Sequence, residues 1–310
     1  MLWVDLLKMT NDEYHIPVLL RAAVDGLVQN SNGIYVDVTF GGGGHSKEIL
    51  SRLKNGKLIG FDQDLDAEQN SIEDDRFVFV AQNFGFLKNN LRMLRQTPVD
   101  GVLADLGVSS YQFNTPERGF SYRFDGKLDM RMNANSTIDA EEIINQYEEE
   151  DLVRIFKDYG ELRESKRLAR RIIDRRQTRR IQTINDLLEI VSGLVQRNKT
   201  NQFLSKIFQA IRIEVNEEID VLKKLLEQGM EVIKPGGRFV IITYHSLEDR
   251  LVKNFFRSGN FKGVLEKDFY GNVLKPFNEI NRKPIIPDEN ELKSNNRARS
   301  AKLRIAERLE

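Results

Sequence analysis

The sequence contains no cysteine. This excludes a disulfide framework, a thiolate-bound zinc or iron–sulfur cluster, and a cysteine nucleophile. It fits a reducing, cytoplasmic compartment. Histidine is nearly as scarce, with three residues in 310, so each can be weighed singly. No run approaches the roughly 18 apolar residues of a membrane span. The start, MLWVDLLKMTNDEYH, lacks a basic segment before its short apolar stretch and lacks a cleavage site. It does not read as a secretory leader. Met9 followed by Thr-Asn-Asp-Glu resembles an alternative start, and the first eight residues are expected to be unstructured.

Net charge is also missing: 47 basic residues meet 47 acidic ones. The zero conceals two unlike halves. Residues 1–150 hold 14 basic and 24 acidic residues, a net of −10, and residues 151–310 hold 33 and 23, a net of +10. Such asymmetry points to a half that faces a polyanion. The basic excess gathers in 161–180, with nine basic and three acidic residues, and in the tail 293–310, with six and two. Either could also be a solvated helix face.

Short apolar runs bounded by turn residues occupy Ile34–Val38, Lys57–Phe61, Phe77–Val80 and Val99–Ala104, and read as buried strands. Helix candidates lie between them, near 46–54, 65–71 and 84–95. This rhythm predicts an α/β fold, a doubly wound, mostly parallel sheet with helices on both faces. From about 135 to 230 there are three glycines and no proline, with apolar residues at helical spacing such as Ile143, Ile144, Tyr147, Leu152, Ile155 and Phe156. Then IKPGGRFVIITYHS (233–246) restores a turn and a β-branched strand. An all-helical domain is therefore expected between the fourth and fifth strands. The expected division is 10–118 and 216–310 for the α/β domain and 119–215 for the insert. Lys275–Lys283 and Ala301–Glu307 are expected to add a final hairpin at the sheet edge.

The first strand runs into TFGGGGHS (39–46), four glycines followed by a helix start. Glycine permits tight turns and close approach of a ligand, and a helix N-terminus presents free N–H groups. The loop misses the dinucleotide pattern at Ser46 and has no phosphate-binding Lys-Ser/Thr. Asp62 follows Gly41 by 21 residues, at the end of the second strand, where an acid accepts hydrogen bonds from ribose hydroxyls. Asp105 ends the fourth strand, at the edge where such sheets bind ligands. A glycine loop, a ribose acid and a strand-end acid without a phosphate lysine point to S-adenosylmethionine, which carries no phosphate. Asp37 either faces its amino group or orders the loop.

For a methyltransferase acting on nucleic acid, the missing cysteine acquires chemical meaning. Methylating a pyrimidine ring carbon normally needs a cysteine adduct. Nitrogen or oxygen remains as the acceptor. An exocyclic amine delocalises its lone pair into the ring, so the enzyme must accept its N–H bonds and align it with the methyl group. Asp105 and Leu106–Ser110 sit where such acceptors belong. His15, His45 and His245 lie in HIPVLL, the glycine loop and TYHSLEDR. His245 follows the fifth strand at the same edge as Asp105 and is a candidate to take the leaving proton or hold the base. Ser246-Leu-Glu248-Asp249 alternatively reads as a helix cap.

The chain resembles the bacterial small-subunit ribosomal RNA cytosine 4-amino methyltransferases, from about Tyr14 to the C-terminus. The resemblance is carried by HIPVLL (15–20), TFGGGGHS (39–46), DLGVSS (105–110), ERGFSYRFDGKLDMRMN (117–133), FQAIRIEVNEE (208–218), KPGGRFVIITYHSLEDRLVKNFF (234–256) and NRARSAKLR (296–304). It implies a class I S-adenosylmethionine methyltransferase fold, Rossmann-like, with an inserted helical domain for substrate recognition. It implies methylation of a decoding-centre cytidine, with small-subunit ribosomal RNA or the 30S particle as partner. The cofactor site it implies uses Gly43, Gly44, His45, Asp62, Phe84, Asp105 and Gln112, with Phe84 against adenine. The chain departs from the family's usual residues at Arg21-Ala22-Ala23, Val38, Lys127 and Asn296, outside that set. Asp105 and His245 stand as the candidate catalytic pair, and no metal or membrane is expected. A homodimer is left open. The RNA contacts expected are Arg118, Arg123, Arg131, the 161–180 cluster and the tail, with Phe120 and Tyr122 as candidate stacking partners. Two competitors are an amine methyltransferase acting on DNA, for which 105–108 would read DPPY or NPPY rather than DLGV, and a cofactor-binding assembly protein without catalysis.

Overall fold

The computed structural model describes residues 17–310. Met9, His15 and the first eight residues lie outside the described residues.

The expected strands form: β1 (Ile34–Asp37), β2 (Lys57–Asp62), β3 (Phe77–Ala81), β4 (Val99–Asp105) and β5 (Ile233–Thr243). Two short strands, β6 (Glu266–Lys267) and β7 (Val273–Leu274), pair only with each other. β8 (Phe277–Glu279) and β9 (Lys302–Arg308) complete a seven-stranded sheet of order β3-β2-β1-β4-β5-β9-β8. The first five strands are parallel, and β9 runs antiparallel to both its neighbours. This is the Rossmann-like architecture expected for a class I methyltransferase. The order reverses between β1 and β4, so a crevice opens at their carboxyl ends.

Along β1, Tyr35 packs into one apolar cluster and Val36 into another. Phe239 and Ile241 of β5 join the second cluster, and Val240 and Ile242 the first. The sheet is thus covered on both faces, which is why its strands read as unbroken apolar runs.

The helices are α1 (Leu20–Leu27), α2 (Gly44–Arg52), α3 (Leu87–Met93), α4 (Ser110–Asn114), α5 (Ala140–Gln146), α6 (Glu149–Asp158), α7 (Ser165–Thr178), α8 (Ile184–Val191), α9 (Thr200–Val215), α10 (Glu218–Val232), α11 (Ser246–Ser258) and α12 (Glu289–Ser294). α5 to α9 enclose a core of their own, running in sequence from Phe120 to Val215. Leu152, Ile155 and Phe156 are fully buried there, at the three- and four-residue spacing that puts them on one helix face. Each such side chain contributes roughly 1.5–3 kcal/mol by leaving water.

Three expectations are corrected. Residues 65–71 form a 3₁₀ turn, Leu65–Asn70, and 84–95 begins with another, Phe84–Phe86, before α3. Asp64 accepts from the Asp66 N–H and Asn83 from the Gly85 N–H. A side-chain oxygen that bonds the backbone two residues ahead closes a tight turn in competition with the α-helix. The final pair β8 and β9 does close the sheet edge, but α12 and a 3₁₀ turn at Asn296–Ser300 lie between them. Their link is a covering segment, not a tight hairpin.

No described helix is long and apolar enough to cross a membrane.

Candidate active site

Four strand ends converge at the crevice: Asp37 of β1, Asp62 of β2, Asp105 of β4 and the Tyr244–Ser246 segment after β5. The glycine loop crosses between them. Gly43 has φ +73°, and a Cβ there would stand 3.0 Å from the Phe40 ring. At Gly44, the first residue of α2, a Cβ would lie 2.2 Å from Pro17. Both positions therefore need glycine, one for its backbone angle and one for close packing.

Asp37 orders the loop. Its side chain is buried and accepts from the Thr39 N–H at 3.1 Å and from Ser46 Oγ at 2.7 Å. Thr39 Oγ1 in turn accepts from the Asp105 N–H at 2.7 Å. Burial raises the Asp37 carboxyl, opposed by His45 and by these hydrogen bonds. Asp62 accepts from the Gly41 N–H and the Asp64 N–H, both at 2.8 Å. Burial pushes it up to about 6 against those two donors. A carboxylate oxygen has two lone-pair directions, so each oxygen of Asp62 keeps one for a further donor.

Asp105 is lifted to about 6 by burial, which His45 and the hydrogen bond from Tyr244 partly offset. The Tyr244 hydroxyl donates to Asp105 Oδ1 at 2.8 Å, and His45 Nδ1 lies 3.7 Å from Asp105 Oδ2. His45 Nε2 lies 3.1 Å from the Val18 carbonyl. Burial and the facing Asp105 raise the Tyr244 phenol well above its ordinary value, so it stays a donor. Tyr244 was missed in the sequence. Its only signal was its place in TYHS, one residue before the histidine that drew attention.

His45 and Asp105 are thus brought together, but His245 is turned elsewhere. Its Nδ1 accepts from the Glu248 N–H at 3.4 Å, and its Nε2 lies 3.1 Å from Glu248 Oε1. It caps α11. No hydrogen bond or ion pair joins it to Asp105 among the described residues. Glu248 Oε2 accepts from the Tyr244 N–H at 2.8 Å. Burial alone would raise Glu248, but His245 and Arg212 outweigh it and the carboxyl sits below its ordinary value. Glu218, His245 and Glu248 gather as metal ligands might be arranged, within 4.8 Å of one another. Arg212 grips Glu218 through both oxygens, at 2.8 and 2.9 Å. Glu218 is thus engaged by Arg212, and Glu248 by His245 and the Tyr244 N–H.

Gln112 is buried, and both ends of its amide are engaged. Its Oε1 accepts from the Ser109 N–H at 3.1 Å, and its Nε2 donates to Asp64 Oδ2 at 2.6 Å. Asp64, two residues beyond Asp62, is a second residue missed in the sequence. Arg118 also donates to Asp64 Oδ2, at 2.9 Å, and to Asp66 and the carbonyls of Arg131 and Met132. Phe84 is half-buried in the turn that follows β3, capped by Asn83, whose Nδ2 donates to Gln63 at 2.6 Å.

The expected RNA contacts divide. Arg118 and Arg131 are consumed internally, Arg131 by Asp129 and the Ser136 carbonyl. Within 161–180, Arg170, Arg171, Arg175, Arg176, Arg179 and Arg180 all have partners inside the fold. Arg163, Lys166 and Arg167 are exposed and make no side-chain hydrogen bond or ion pair among the described residues, and the same holds for Arg123. Phe120 is buried in the insert's core rather than offered to a base. Tyr122 packs edge-on against Phe208 and hydrogen-bonds Ser205.

The sequence profile of the MraW methylase family matches residues 12–309. The chain belongs to that family. The ribosomal RNA small subunit methyltransferase H of Flavobacterium johnsoniae is 57% identical over 301 residues, covering 97% of this chain and 99% of that protein. The protein of the same name from Bacteroides thetaiotaomicron is 54% identical over 303 residues, covering 97% and 100%. Among solved structures, an rRNA methylase from Streptococcus thermophilus aligns over 95% of this chain and 99% of its own, with TM-score 0.43 and 11% identity. The cofactor is S-adenosyl-L-methionine. The crevice fits it chemically: carboxylates stand at the strand ends, and a cofactor without phosphate needs no phosphate-binding lysine.

Proposed function

We propose that this methylase transfers a methyl group from S-adenosylmethionine to the exocyclic 4-amino group of a cytidine in the decoding centre of small-subunit ribosomal RNA. The observation that carries the amine acceptor is Asp105, a half-buried carboxylate at the end of β4, fixed by Tyr244 and His45. It supports an N–H-accepting role, because an amine attacks well only when its lone pair is drawn out of the ring. When bound, the cofactor supplies an electrophilic methyl group.

Asp62 would hold the ribose, and Gly43, Gly44 and His45 would shape the methionine side. Phe84 would lie against the adenine. Gln112 acts through Asp64, which it steadies. Asp105 would accept an amine N–H and orient the lone pair, its carboxylate kept available at neutral pH by a folded value of about 6. His245 enters as a positioning residue, fixing the start of α11 and, through Glu248, the backbone at Tyr244. The 119–215 segment would serve as the RNA-recognition domain. Its Glu161 reaches Ser246 at 3.1 Å and Arg250 at 3.3 Å, beside the site. Such a substrate places the enzyme with ribosomes, in the cytoplasm. No cysteine is available for ring-carbon chemistry.

The test is methyl transfer to small ribosomal subunits from a strain lacking the equivalent gene, followed by nucleoside mass spectrometry. The expected product is 4-amino-methylated cytidine. A methyl group on any other atom overturns the assignment.

A further inference from the structure

A second concavity lies beside the strand-end acid. It has a volume of about 350 Å³ and lies between the Tyr244–Ser246 turn and the covering segment 286–302. Its size falls in the roughly 300–1,000 Å³ range of small-molecule sites. Resting on the reading above, we propose that this cavity receives the target nucleotide after it leaves the RNA stack, and that Arg299 takes its phosphate.

Position is the first argument. Tyr244 lines the cavity, and its hydroxyl donates to Asp105 at 2.8 Å. One side chain thus forms a wall of the cavity and touches the acid at the end of β4. Asp105 does not itself line the cavity, so a base seated against Tyr244 lies one side chain from it and its amine must reach past the Tyr244 ring.

Composition is the second. Ile286, Pro287 and Leu292 supply one apolar side, and Ser246 and Ser300 supply hydroxyls. Ile286 is 64% exposed and Leu292 36%, so both present apolar surface to the cavity. An unstacked base needs such an apolar slot with a few polar groups at its edge. The two cations at the cavity differ. Lys302 is tied to Asp249 at 3.3 Å, an acid also held by Arg304 at 2.6 Å. Arg299 is exposed and has no hydrogen bond or ion pair among the described residues. A free guanidinium at the mouth of a base-sized slot suits a phosphate, which it can contact through two N–H groups.

The wall is tied into the fold. Glu291 Oε1 accepts from the Leu19 N–H at 2.6 Å. Arg297 donates to Asn114 at 2.6 Å and lies 5.2 Å above the Phe113 ring. These ties fix the segment to the start of α1 and to α4. His45 contacts the Val18 carbonyl on the same side, so the cavity wall and the cofactor loop share an anchor.

Two variants test this in steady-state methyl transfer to undermethylated small subunits, with S-adenosylmethionine affinity measured by calorimetry. Leu292→Trp should fill the slot and lower kcat/KM by on the order of 100-fold while leaving cofactor affinity within about twofold. Arg299→Glu should raise KM for the subunit by about tenfold, with kcat within about threefold, and Arg299→Lys should recover most of the loss. Wild-type kcat/KM in Leu292→Trp, or an unchanged KM in Arg299→Glu, overturns the proposal. Loss of cofactor affinity in either variant overturns it too, assigning the cavity to the cofactor. Should Leu292→Trp fail to fold, the exposed Arg299 pair decides alone. If the wild-type enzyme itself places methyl groups elsewhere, the functional reading fails, an outcome distinct from these.

Discussion

The Tyr244 hydroxyl donates a 2.8 Å hydrogen bond to Asp105 across 139 residues of sequence. It ties the turn after β5 to the end of β4. Burial lifts Asp105 to about 6, and the Tyr244 bond is among the influences holding it down. Tyr244→Phe removes a donor that favours the charged form, so the carboxyl rises further. If Asp105 must be ionised to accept amine hydrogens, the acid limb of the single-turnover rate should move to higher pH, with a rate loss of about tenfold at neutral pH. A pH–rate profile measures both. An acid limb unmoved in the variant would show that Asp105 does not set it.

Asp105→Asn should lose methyl transfer and yet fold more stably at neutral pH. Because the folded value of Asp105 is raised, the unfolded chain releases its proton first as pH rises. The cost is absent below the ordinary value of 3.8 and complete above about 6. Its side chain is 20% exposed, so the gain should be about 1–2 kcal/mol, less than the full shift implies. Denaturant midpoints should separate at pH 7.5 and converge near pH 4. A variant less stable than wild type at pH 7.5 contradicts this. Asp105→Ala should likewise abolish turnover while cofactor binding stays measurable.

Arg118 was expected on the RNA face but joins Asp64, Asp66 and two carbonyls at the junction with the insert. Its side chain is 14% exposed and that of Asp64 10%. Arg118→Ala would leave Asp64 without its cation, with only the Gln112 amide and the Asp66 N–H to hold it, and should cost about 2–3 kcal/mol, at or below the penalty for breaking a buried pair. Chemical denaturation and cofactor calorimetry read the two effects. A variant with normal stability but weaker RNA binding would restore the original expectation.

Arg163, Lys166 and Arg167 are the cations of the basic cluster with no side-chain partner among the described residues. Reversing all three to Glu should weaken binding to small-subunit RNA and flatten its salt dependence by about three charges' worth, leaving cofactor affinity unchanged. Reversing Arg175 and Arg176 should mainly destabilise the insert, because they hold Glu189 and the carbonyls of Ile144 and Tyr147. Filter binding over a salt series distinguishes them. Equal RNA binding by the triple variant and wild type identifies the cluster as a solvated face.

Much of the framework was written locally. The strands are short apolar runs because both faces of the sheet are covered. The glycine loop announced its backbone needs at Gly43 and Gly44, and the insert was marked by the change from strand runs to helical spacing. Asp62 and Asp105 were legible because each ends a strand, and strand ends at a switch point face the crevice. These are properties of neighbours in sequence, governed by periodicity and turn chemistry.

What tertiary structure decided was the choice of partner. Two arginines of one motif, Arg118 and Arg123, look alike in the chain. One finds carboxylates 52 and 54 residues away, and the other faces solvent. Phe120 read equally well as a base-stacking ring or a core ring until the insert closed around it. His245 drew attention as a histidine, but the helix start beside it claimed its ring, and Tyr244 met Asp105 instead. A side chain's pattern can mark it as buried, charged or able to donate. Which atom it meets depends on contacts made across the fold, and composition and spacing do not encode them.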